Sequence, residues 1–215
     1  MVYLGAGRFG PWWFGVAWED ESFVATAIAE SRAAALARVA ACLPRHVAST
    51  AAPHASPFLR DAVRMLGELE CGDETNKRFS LSPRHRSPAR WRILSAAALV
   101  PVGFVTTYGA IARAAGSQAR AVGQAMATNP LYPLVPCHRV VGADLSLVGY
   151  RGEQKARALA AKLDRLRAEA RGMPAPRQLE TPGLPGGPLP VVPVERVLEA
   201  VARRDARPAR ARRGE

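Results

Sequence analysis

Cysteine is rare in this chain of 215 residues, and long apolar runs are missing from it. The three cysteines, Cys42, Cys71 and Cys137, are far apart and form no CxxC pair, so the sequence favours free thiols and gives little support to a zinc site. We therefore expect no metal and no cofactor. No apolar stretch approaches the roughly 20 residues of a membrane-spanning helix, and the N-terminus has no basic region followed by an apolar core, as an export signal would. These absences predict a cytoplasmic protein without membrane contacts.

Acidic residues are the minority among the charged side chains. Asp and Glu number 18 against 30 Lys and Arg, which gives a net charge of +12. Such a charge indicates a polyanionic partner, most simply nucleic acid. The alternative is an arginine-rich surface that reflects a biased genome, because arginine far outnumbers lysine. Charge alone does not separate these interpretations.

The first part of the chain has the pattern of a small α/β domain. Aromatic and β-branched residues crowd residues 1–30, as in "PWWFGVAW" and "SFVATAI", and predict a hairpin or small sheet. Two amphipathic helices follow, with Ser31 and Ser56 as predicted N-caps and Pro57 in the first turn of the second helix. We assign residues 1–85 to a supporting N-terminal domain.

The next part, residues 86–171, is predicted to be mostly helical. A helix begins after Ser87 and stops at Pro101. Two short helices over residues 108–115 and 118–128 are joined by a glycine turn, which is the pattern of a helix-turn-helix motif. An ordinary corner between two helices is the alternative, and the basic charge favours DNA binding.

A change of composition at Gly172 marks a C-terminal extension, residues 172–215. A basic amphipathic helix with Leu159, Leu163 and Leu166 on one face precedes it. The segment "GMPAPRQLETPGLPGGPLPVVP" is rich in proline and glycine and is predicted to lack a packed core. The spacing in "PVERVLEAVARR" predicts a short helix that docks on the body of the protein or on an unidentified partner. The basic end after it is predicted to be disordered.

One segment, "NPLYPLVPCHRVVG" at residues 129–142, combines a cysteine, a histidine and three prolines; we call it the Cys loop. A thiol becomes a nucleophile when it loses its proton, and a neighbouring base makes that loss easier. Adjacent side chains of an extended loop point apart, so His138 is expected to act on Cys137 through one bound water. A carboxylate that orients the histidine would complete the relay. A buried, inert cysteine is the alternative, and the prolines favour a preorganised site.

The order of the motifs "GFVTTYG", "ARAVG", "NP", "PCHRVV" and "GYRG" resembles that of the O6-alkylguanine-DNA alkyltransferases, over about residues 87–164. The resemblance implies an α/β (α+β) fold, with a small N-terminal sheet-plus-helix domain followed by a mostly helical DNA-binding domain. It also implies DNA repair as a methylated-DNA–protein-cysteine methyltransferase. Such a protein flips O6-alkylguanine out of double-stranded DNA and transfers the alkyl group irreversibly to its own cysteine, one group per molecule. We expect it to act as a monomer.

This resemblance assigns four residues to the chemistry. Cys137 is the nucleophile and acceptor, and His138 is the base that acts through water. Asp164, fourteen residues after Tyr150, stands where the family usually has the glutamate that orients the histidine. Tyr108 donates a hydrogen bond to the leaving guanine. The alternatives are an exposed helix charge for Asp164 and a core aromatic for Tyr108.

Further residues are assigned by the resemblance to the base and its pocket. Asn129 braces the turn before the cysteine, and the backbone of the cysteine and of Val140 reads the edge of the guanine. Tyr150 lines the guanine pocket, and Arg151 follows it where many relatives have a small residue.

The DNA itself is assigned to the second short helix. Arg120 corresponds to the residue that fills the vacated base stack, while Ala119, Ala121 and Gly123 are small enough for close approach to the minor groove. Plain helix packing is the alternative for the three small residues.

Two other functions compete with alkyl transfer. Some relatives bind alkylated DNA without repairing it, but these lack the reactive cysteine. A Cys-His hydrolase would turn over an ester or peptide repeatedly, and it leaves Arg120 and Tyr108 without a role. The presence of Cys137 therefore favours transfer over lesion binding.

Overall fold

The computed structural model describes residues 1–53, 56–73, 80–150 and 152–206. Within these ranges no helix is long and apolar enough to cross a membrane. The same residues contain no cluster of His, Cys, Asp and Glu side chains that could hold a metal ion. The cysteines are free thiols, of which the third is buried.

A five-stranded sheet forms the base of the N-terminal half. Its strands are β1 (Val2–Phe9), β2 (Trp12–Glu19), β3 (Ser22–Ala29), β4 (Ser49–Ala51) and β5 (Ser80–Leu81), in the order β4-β1-β2-β3-β5. The first three strands form an antiparallel meander, in which Val16 lies opposite Gly5 on one side and Thr26 on the other. The short strands β4 and β5 add in parallel at the two edges. The predicted small sheet is confirmed, and the edge strand β4 is an addition that the sequence pattern did not indicate.

Two helices pack against this sheet, α1 (Arg32–Ala41) and α2 (Pro57–Cys71). Ser31 and Ser56 cap them, because each side-chain oxygen accepts a backbone N–H from the first turn. Helix α2 ends at Gly72, whose φ of 84° lies in the left-handed region that glycine adopts readily. Both predicted N-caps are confirmed.

The second half is mostly helical, as predicted. Its elements are α3 (Pro88–Ala98), β6 (Phe104–Thr107), α4 (Tyr108–Ala114), α5 (Ala119–Ala127), β7 (Val140–Val141) and α6 (Ala156–Ala168). Ser87 caps α3 and Thr107 caps α4 through their side-chain oxygens. Helices α4 and α5, with Gly116 at φ 58° in the turn between them, form the predicted helix-turn-helix arrangement.

The two halves meet at the Cys loop. Thr26 of β3 donates its backbone N–H to the carbonyl oxygen of Pro130 (2.8 Å) and its hydroxyl to that of Tyr132 (2.7 Å). Leu66 from the first half and Leu94 from the second are fully buried in one common cluster. The N-terminal sheet therefore fixes the start of the loop that carries Cys137.

The C-terminal extension contains a packed core, so the prediction that its proline- and glycine-rich segment lacks one is wrong. The elements are β8 (Arg177–Leu179), β9 (Leu189–Pro193) and α7 (Val194–Asp205). Strand β9 pairs antiparallel with β6 and with β8, which makes a four-stranded sheet in the order β7-β6-β9-β8. Helix α7 confirms the predicted helix, and Val194 and Val197 bury its apolar face on the body of the protein. Of the basic end that was predicted to be disordered, residues 205–215, Asp205 belongs to α7, and residues 207–215 lie outside the described residues.

Proline is the reason that the sequence did not reveal β9. Leu189, Val191 and Pro193 alternate inward along the strand, which is the period of two that a strand requires. The prolines at 190 and 193 cannot donate to a neighbouring strand, and a proline-rich composition is typical of a linker. Here the carbonyl oxygen of Pro190 accepts the hydroxyl of Thr106 on β6 instead (2.7 Å).

Candidate active site

Cys137 opens a short 3₁₀ turn, Cys137–Arg139, that leads directly into β7. Its side chain is buried, with 5 % of the residue exposed. Asn129 braces the loop before it: the side-chain amide donates to the carbonyl oxygen of Val135 (2.7 Å), and the side-chain oxygen accepts the N–H of Leu131 (3.0 Å). The bracing predicted for Asn129 is thus present, and the loop reaches the cysteine in one fixed shape.

The two residues after the cysteine share one carboxylate. His138 Nε2 lies 2.8 Å from Oε1 of Glu169, just beyond the end of α6. The guanidinium of Arg139 donates two hydrogen bonds of 2.8 Å to the same carboxylate and a third, of 2.7 Å, to the carbonyl oxygen of Val100. His138, Arg139 and Glu169 are all buried. A compact 3₁₀ turn therefore allows consecutive side chains to converge on a common partner.

Burial and hydrogen bonding set the charges of this cluster. Burial alone would raise the pKa of Glu169, but the hydrogen bond and charge of His138 and then those of Arg139 outweigh it and lower the pKa to about 2. Burial lowers the pKa of His138 to about 4, against the upward pull of Glu169. At neutral pH the carboxylate is therefore charged and the imidazole is neutral.

A neutral imidazole beside a carboxylate has a defined tautomer. The acceptor Glu169 requires the proton on Nε2 of His138, so Nδ1 carries the free lone pair and is the basic nitrogen. Nδ1 is buried and makes no hydrogen bond to a protein atom among the described residues. The arrangement has the parts of a proton relay: a cysteine, a neutral base next to it in the chain, and a carboxylate that orients the base.

The assignment of Asp164 as the orienting acid is wrong. Asp164 is exposed on α6, and its carboxylate pairs with Arg167 one turn later (3.1 Å). The error came from counting fourteen residues on from Tyr150. In this chain a tight turn pairs Tyr150 with Glu153, and α6 begins only at residue 156, so the position that faces the histidine comes later. Five residues along a helix also rotate a side chain by about 140°, away from the face that Glu169 uses.

A better signal was present in the sequence. Lys162, Leu166 and Glu169 follow the spacing i, i+4 and i+7, and all three are fully buried. Two charged residues on a buried stripe point to polar partners in the core. The sequence analysis did not use this stripe, because the leucines at 159, 163 and 166 indicate a neighbouring apolar face that shares only Leu166 with it.

Lys162 is a residue of the site that the sequence analysis missed. Its ammonium group donates to the carbonyl oxygens of Val140 (2.6 Å) and Gly149 (3.0 Å) and lies 5.9 Å from the ring centre of Tyr108. Burial lowers its pKa to about 8, and the nearby Cys137 acts in the opposite direction. The lysine thus ties the strand after the cysteine to the loop before Tyr150.

A cleft of about 370 Å³ opens onto the cysteine. Several predicted residues line it together, namely Tyr108, Ala119, Gly123, Cys137 and Tyr150. A Cβ atom added to Gly123 would meet nothing within 4 Å, so the helix leaves open space in front of the cleft. The structure thus brings the sulfur, two tyrosines and the start of α5 to a single opening.

The remaining predicted residues have other positions. Arg120 and Ala121 are exposed on α5, beside the mouth of the cleft. Val140 is buried; its N–H donates to the carbonyl oxygen of Cys137, and its own carbonyl oxygen accepts a hydrogen bond from Lys162. Arg151 lies outside the described residues.

Comparison with known proteins agrees with this site. Residues 88–171 match the model of the family described as 6-O-methylguanine DNA methyltransferase, DNA binding domain. This part of the chain is similar to that domain. The matched segment holds α3, the helix-turn-helix, the Cys loop and the whole of α6, and it includes both Cys137 and Glu169. The predicted resemblance is therefore confirmed.

Curated relatives are similar over part of the chain. A "DNA base-flipping protein" of Thermus thermophilus is 46 % identical over 68 residues, which are 32 % of this chain and 46 % of that protein. The constitutive methylated-DNA–protein-cysteine methyltransferase of Bacillus subtilis is 38 % identical over 102 residues, 46 % of this chain and 61 % of the relative. The chain thus spans about half of the length of the curated relatives that it matches.

A solved structure is similar over a larger share. Mycobacterium tuberculosis OGT in complex with DNA matches 80 % of this chain and 96 % of its own, with a TM-score of 0.58 and 26 % sequence identity. The predicted fold class, a sheet-plus-helix domain before a mostly helical one, is confirmed.

Replacing Glu169 by Gln should destabilise the fold, because the buried charge of Arg139 would lose its carboxylate. Breaking a buried pair in this way costs about 3–5 kcal/mol. Asp164→Asn is the matched control, since it removes an exposed carboxylate from the same helix and should change the free energy of unfolding by about 0.5 kcal/mol at most. Urea unfolding at pH 7 measures both, and equal losses would contradict the placement of Glu169.

Stability should also fall as the pH falls from about 6.5 to about 4. The pKa of His138 is 6.5 in an unperturbed state and about 4 in the fold, so the unfolded chain binds more protons in this window and acid favours unfolding. The expected loss at pH 4 is about 1–3 kcal/mol. Below its ordinary pKa of 4.5, Glu169 adds a further loss, because its pKa in the fold is about 2.

Urea unfolding between pH 7.5 and pH 4 measures this dependence. His138→Gln is the control, since it removes the titrating group and should flatten the slope above pH 4.5. Identical slopes for the two proteins would show that another group causes the acid sensitivity.

Proposed function

We propose that the protein repairs DNA by moving an alkyl group from O6 of guanine to its own Cys137, once per molecule. The observation that carries this proposal is the joining of the Cys137–His138–Glu169 relay to a cleft whose mouth is formed by α5. A buried cysteine with an oriented base serves covalent chemistry, and the helix beside it serves contact with DNA. The whole lies in the segment that matches the methyltransferase family.

The transfer is a displacement at the alkyl carbon. The proton of the Cys137 thiol passes through one water to Nδ1 of His138, and Glu169 stabilises the imidazolium that forms. As this proton leaves, the sulfur forms a bond to the alkyl carbon while the bond from that carbon to O6 breaks, and the electron pair stays with the guanine. No cofactor takes part in this balance.

Tyr108 stabilises the leaving guanine. Burial raises the pKa of Tyr108 above its ordinary value, and the nearby Cys137 raises it further, so the phenol keeps its proton. It lines the same cleft as the sulfur and donates a hydrogen bond to the ring nitrogen on which negative charge develops. A donor that strengthens as charge builds up acts on the transition state more than on the bound base.

The guanine itself occupies the cleft. Tyr150 and Cys137 line the cleft. The carbonyl oxygens of Cys137 and Val140 are the proposed acceptors of hydrogen bonds from the base edge. Asn129 supports this arrangement from behind by holding the loop, and Arg151 follows the wall at the rim.

DNA binds across the exposed face of α5. Ala119, Ala121 and Gly123 give this face a low profile that allows close approach in the minor groove, and Arg120 enters the duplex to fill the space of the everted base. The support comes from the exposed side chain of Arg120, the open space at Gly123, and the similarity to a structure with DNA bound. Since one sulfur accepts one group, we expect a monomer to act on each lesion.

Binding of the lesion without transfer is the second candidate. It is favoured by one observation, the name "DNA base-flipping protein" of a relative that is 46 % identical over 68 residues. The complete relay argues against it, because a protein that only binds a base has no need of a buried, oriented histidine next to a thiol.

Intact-mass measurement separates the two functions. After incubation with a duplex that carries one O6-methylguanine, the protein should gain one methyl group in place of one proton, and peptide mapping should place it on Cys137. Cys137→Ala should bind the same duplex and gain nothing, whereas Cys42→Ala, which removes an exposed thiol, should behave like the wild type. DNA binding by the wild type without any change of mass would establish the second candidate.

Arg120→Ala should slow transfer from duplex DNA selectively. Extrusion of a paired base costs a few kcal/mol, so loss of the residue that fills its place should slow the reaction on a duplex about tenfold or more. A single strand needs no extrusion, and transfer from it should change little.

Arg113→Ala is the matched control for charge. Arg113 is exposed at the end of α4, so its removal lowers the net charge by the same amount as Arg120→Ala. It should weaken the binding of duplex and single strand alike. Single-turnover rates at one salt concentration provide the comparison. Equal slowing of Arg120→Ala on duplex and single strand would contradict the role in base extrusion.

A further inference from the structure

The C-terminal extension lies against the reaction centre although it follows the segment that matches the family, residues 88–171. Strand β9 pairs with β6, which runs directly into Tyr108, and β6 pairs in turn with β7, which follows the Cys137–Arg139 turn. The sheet whose strands adjoin Tyr108 and the Cys137–Arg139 turn therefore includes a strand of the C-terminal extension.

Helix α7 contacts the end of α6 through a carboxylate. Oε1 of Glu195 accepts the backbone N–H groups of Arg171 (2.7 Å) and Gly172 (2.8 Å). These amides come immediately after the segment that holds Glu169. In addition, Leu166 of α6 is buried in one cluster with Val194 and other apolar residues of α7. The position of the carboxylate that orients His138 is therefore held partly by α7.

The other end of α7 contacts the loop that walls the cleft, residues 142–149. Arg204 donates to the carbonyl oxygen of Asp144 (2.6 Å) and to its carboxylate (2.9 Å). The same carboxylate also accepts the N–H of Ser146 (3.1 Å), which closes a turn in the loop. Val148 and Gly149, at the end of this loop, line the cleft beside the sulfur.

We propose that α7 is a built-in brace of the reaction centre, with Glu195 and Arg204 as positioning residues. Glu195 keeps the segment of Glu169 in place for the proton relay, and Arg204 keeps the 142–149 loop in place as a wall of the alkyl pocket. This inference rests on the proposed alkyl transfer, because it assigns the two contacts to steps of that reaction.

The two contacts predict different kinetic effects. Arg204→Met loosens the wall that the base touches, so the DNA concentration for half-maximal transfer should rise roughly three- to tenfold while the saturating rate changes little. Glu195→Ala loosens the relay, so the saturating rate should fall roughly three- to tenfold. The conservative variants Arg204→Lys and Glu195→Gln keep a donor or an acceptor and should recover most of the loss.

The same helix provides a matched control. Within the described residues, Glu199 and Arg203 form an exposed ion pair on α7 (3.1 Å) and bind each other rather than the reaction centre. Glu199→Ala with Arg203→Met therefore removes the same charges. This control should transfer like the wild type. All rates are taken at a temperature well below every melting midpoint, so that a loss of stability alone does not change them.

A second readout does not depend on DNA. The rate at which iodoacetamide alkylates Cys137, measured by peptide mass, should rise at least about threefold in Arg204→Met and stay unchanged in the control. The reason is that the wall of the cleft shields the sulfur. Should Arg204→Met fail to fold, Asp144→Asn weakens the same contact from the loop side.

The outcomes distinguish a failure of the proposed alkyl transfer from a failure of the proposed brace. A wild type that never gains a methyl group overturns the proposed function, and the capping rates still decide whether α7 shapes the cleft. A wild type that transfers, with Arg204 and Glu195 variants that behave like the Glu199–Arg203 control in both assays, overturns the brace.

Discussion

The buried carboxylate of Glu169 is the interaction on which the rest of the site depends. An isolated carboxylate in the core would be costly, and here Arg139 neutralises it with two hydrogen bonds while the third donor of Arg139 is used by Val100. Because the arginine carries the compensating charge, His138 can remain neutral beside the carboxylate and keep a basic nitrogen. This explains why cysteine, histidine and arginine are consecutive: one short turn places the proposed nucleophile, the proposed base and the counter-ion side by side.

Helix α6 links this interaction to both halves of the molecule. One face carries Glu169 into the core, while Arg165 and Arg171 contact carbonyl oxygens at the end of α2, those of Leu69 (3.1 Å) and Gly72 (2.6 Å). Cations at the C-terminus of a helix meet the negative end of its dipole. The N-terminal domain therefore supports the reaction centre through the same helix that supplies the relay carboxylate, besides its contact with the Cys loop through Thr26.

The sequence allowed prediction of the residues that lie on short motifs, and it failed where a variable segment intervenes. Tyr108, Cys137 and Tyr150 line one cleft because each belongs to a local motif whose shape the motif itself determines. Asp164 was wrong because its assignment counted across a turn of unpredictable length. Lys162 was missed because a lysine on a basic helix is usually solvated, and only the three-dimensional packing shows that its partners are buried carbonyl oxygens. Strand β9 was missed because prolines occupy it.

The low pKa of His138 determines when the proton moves in the proposed reaction. A residue whose pKa is lowered to about 4 does not hold a proton at neutral pH, so the relay does not maintain a standing pair of thiolate and imidazolium. In the proposed reaction, proton transfer instead accompanies the attack, when guanine in the cleft excludes bulk water but not the one bridging water. Glu169 can then stabilise the new positive charge at short range. If the sulfur reacts once, as proposed, the protein gains from this arrangement, because the thiolate is the form that oxidants and stray electrophiles consume.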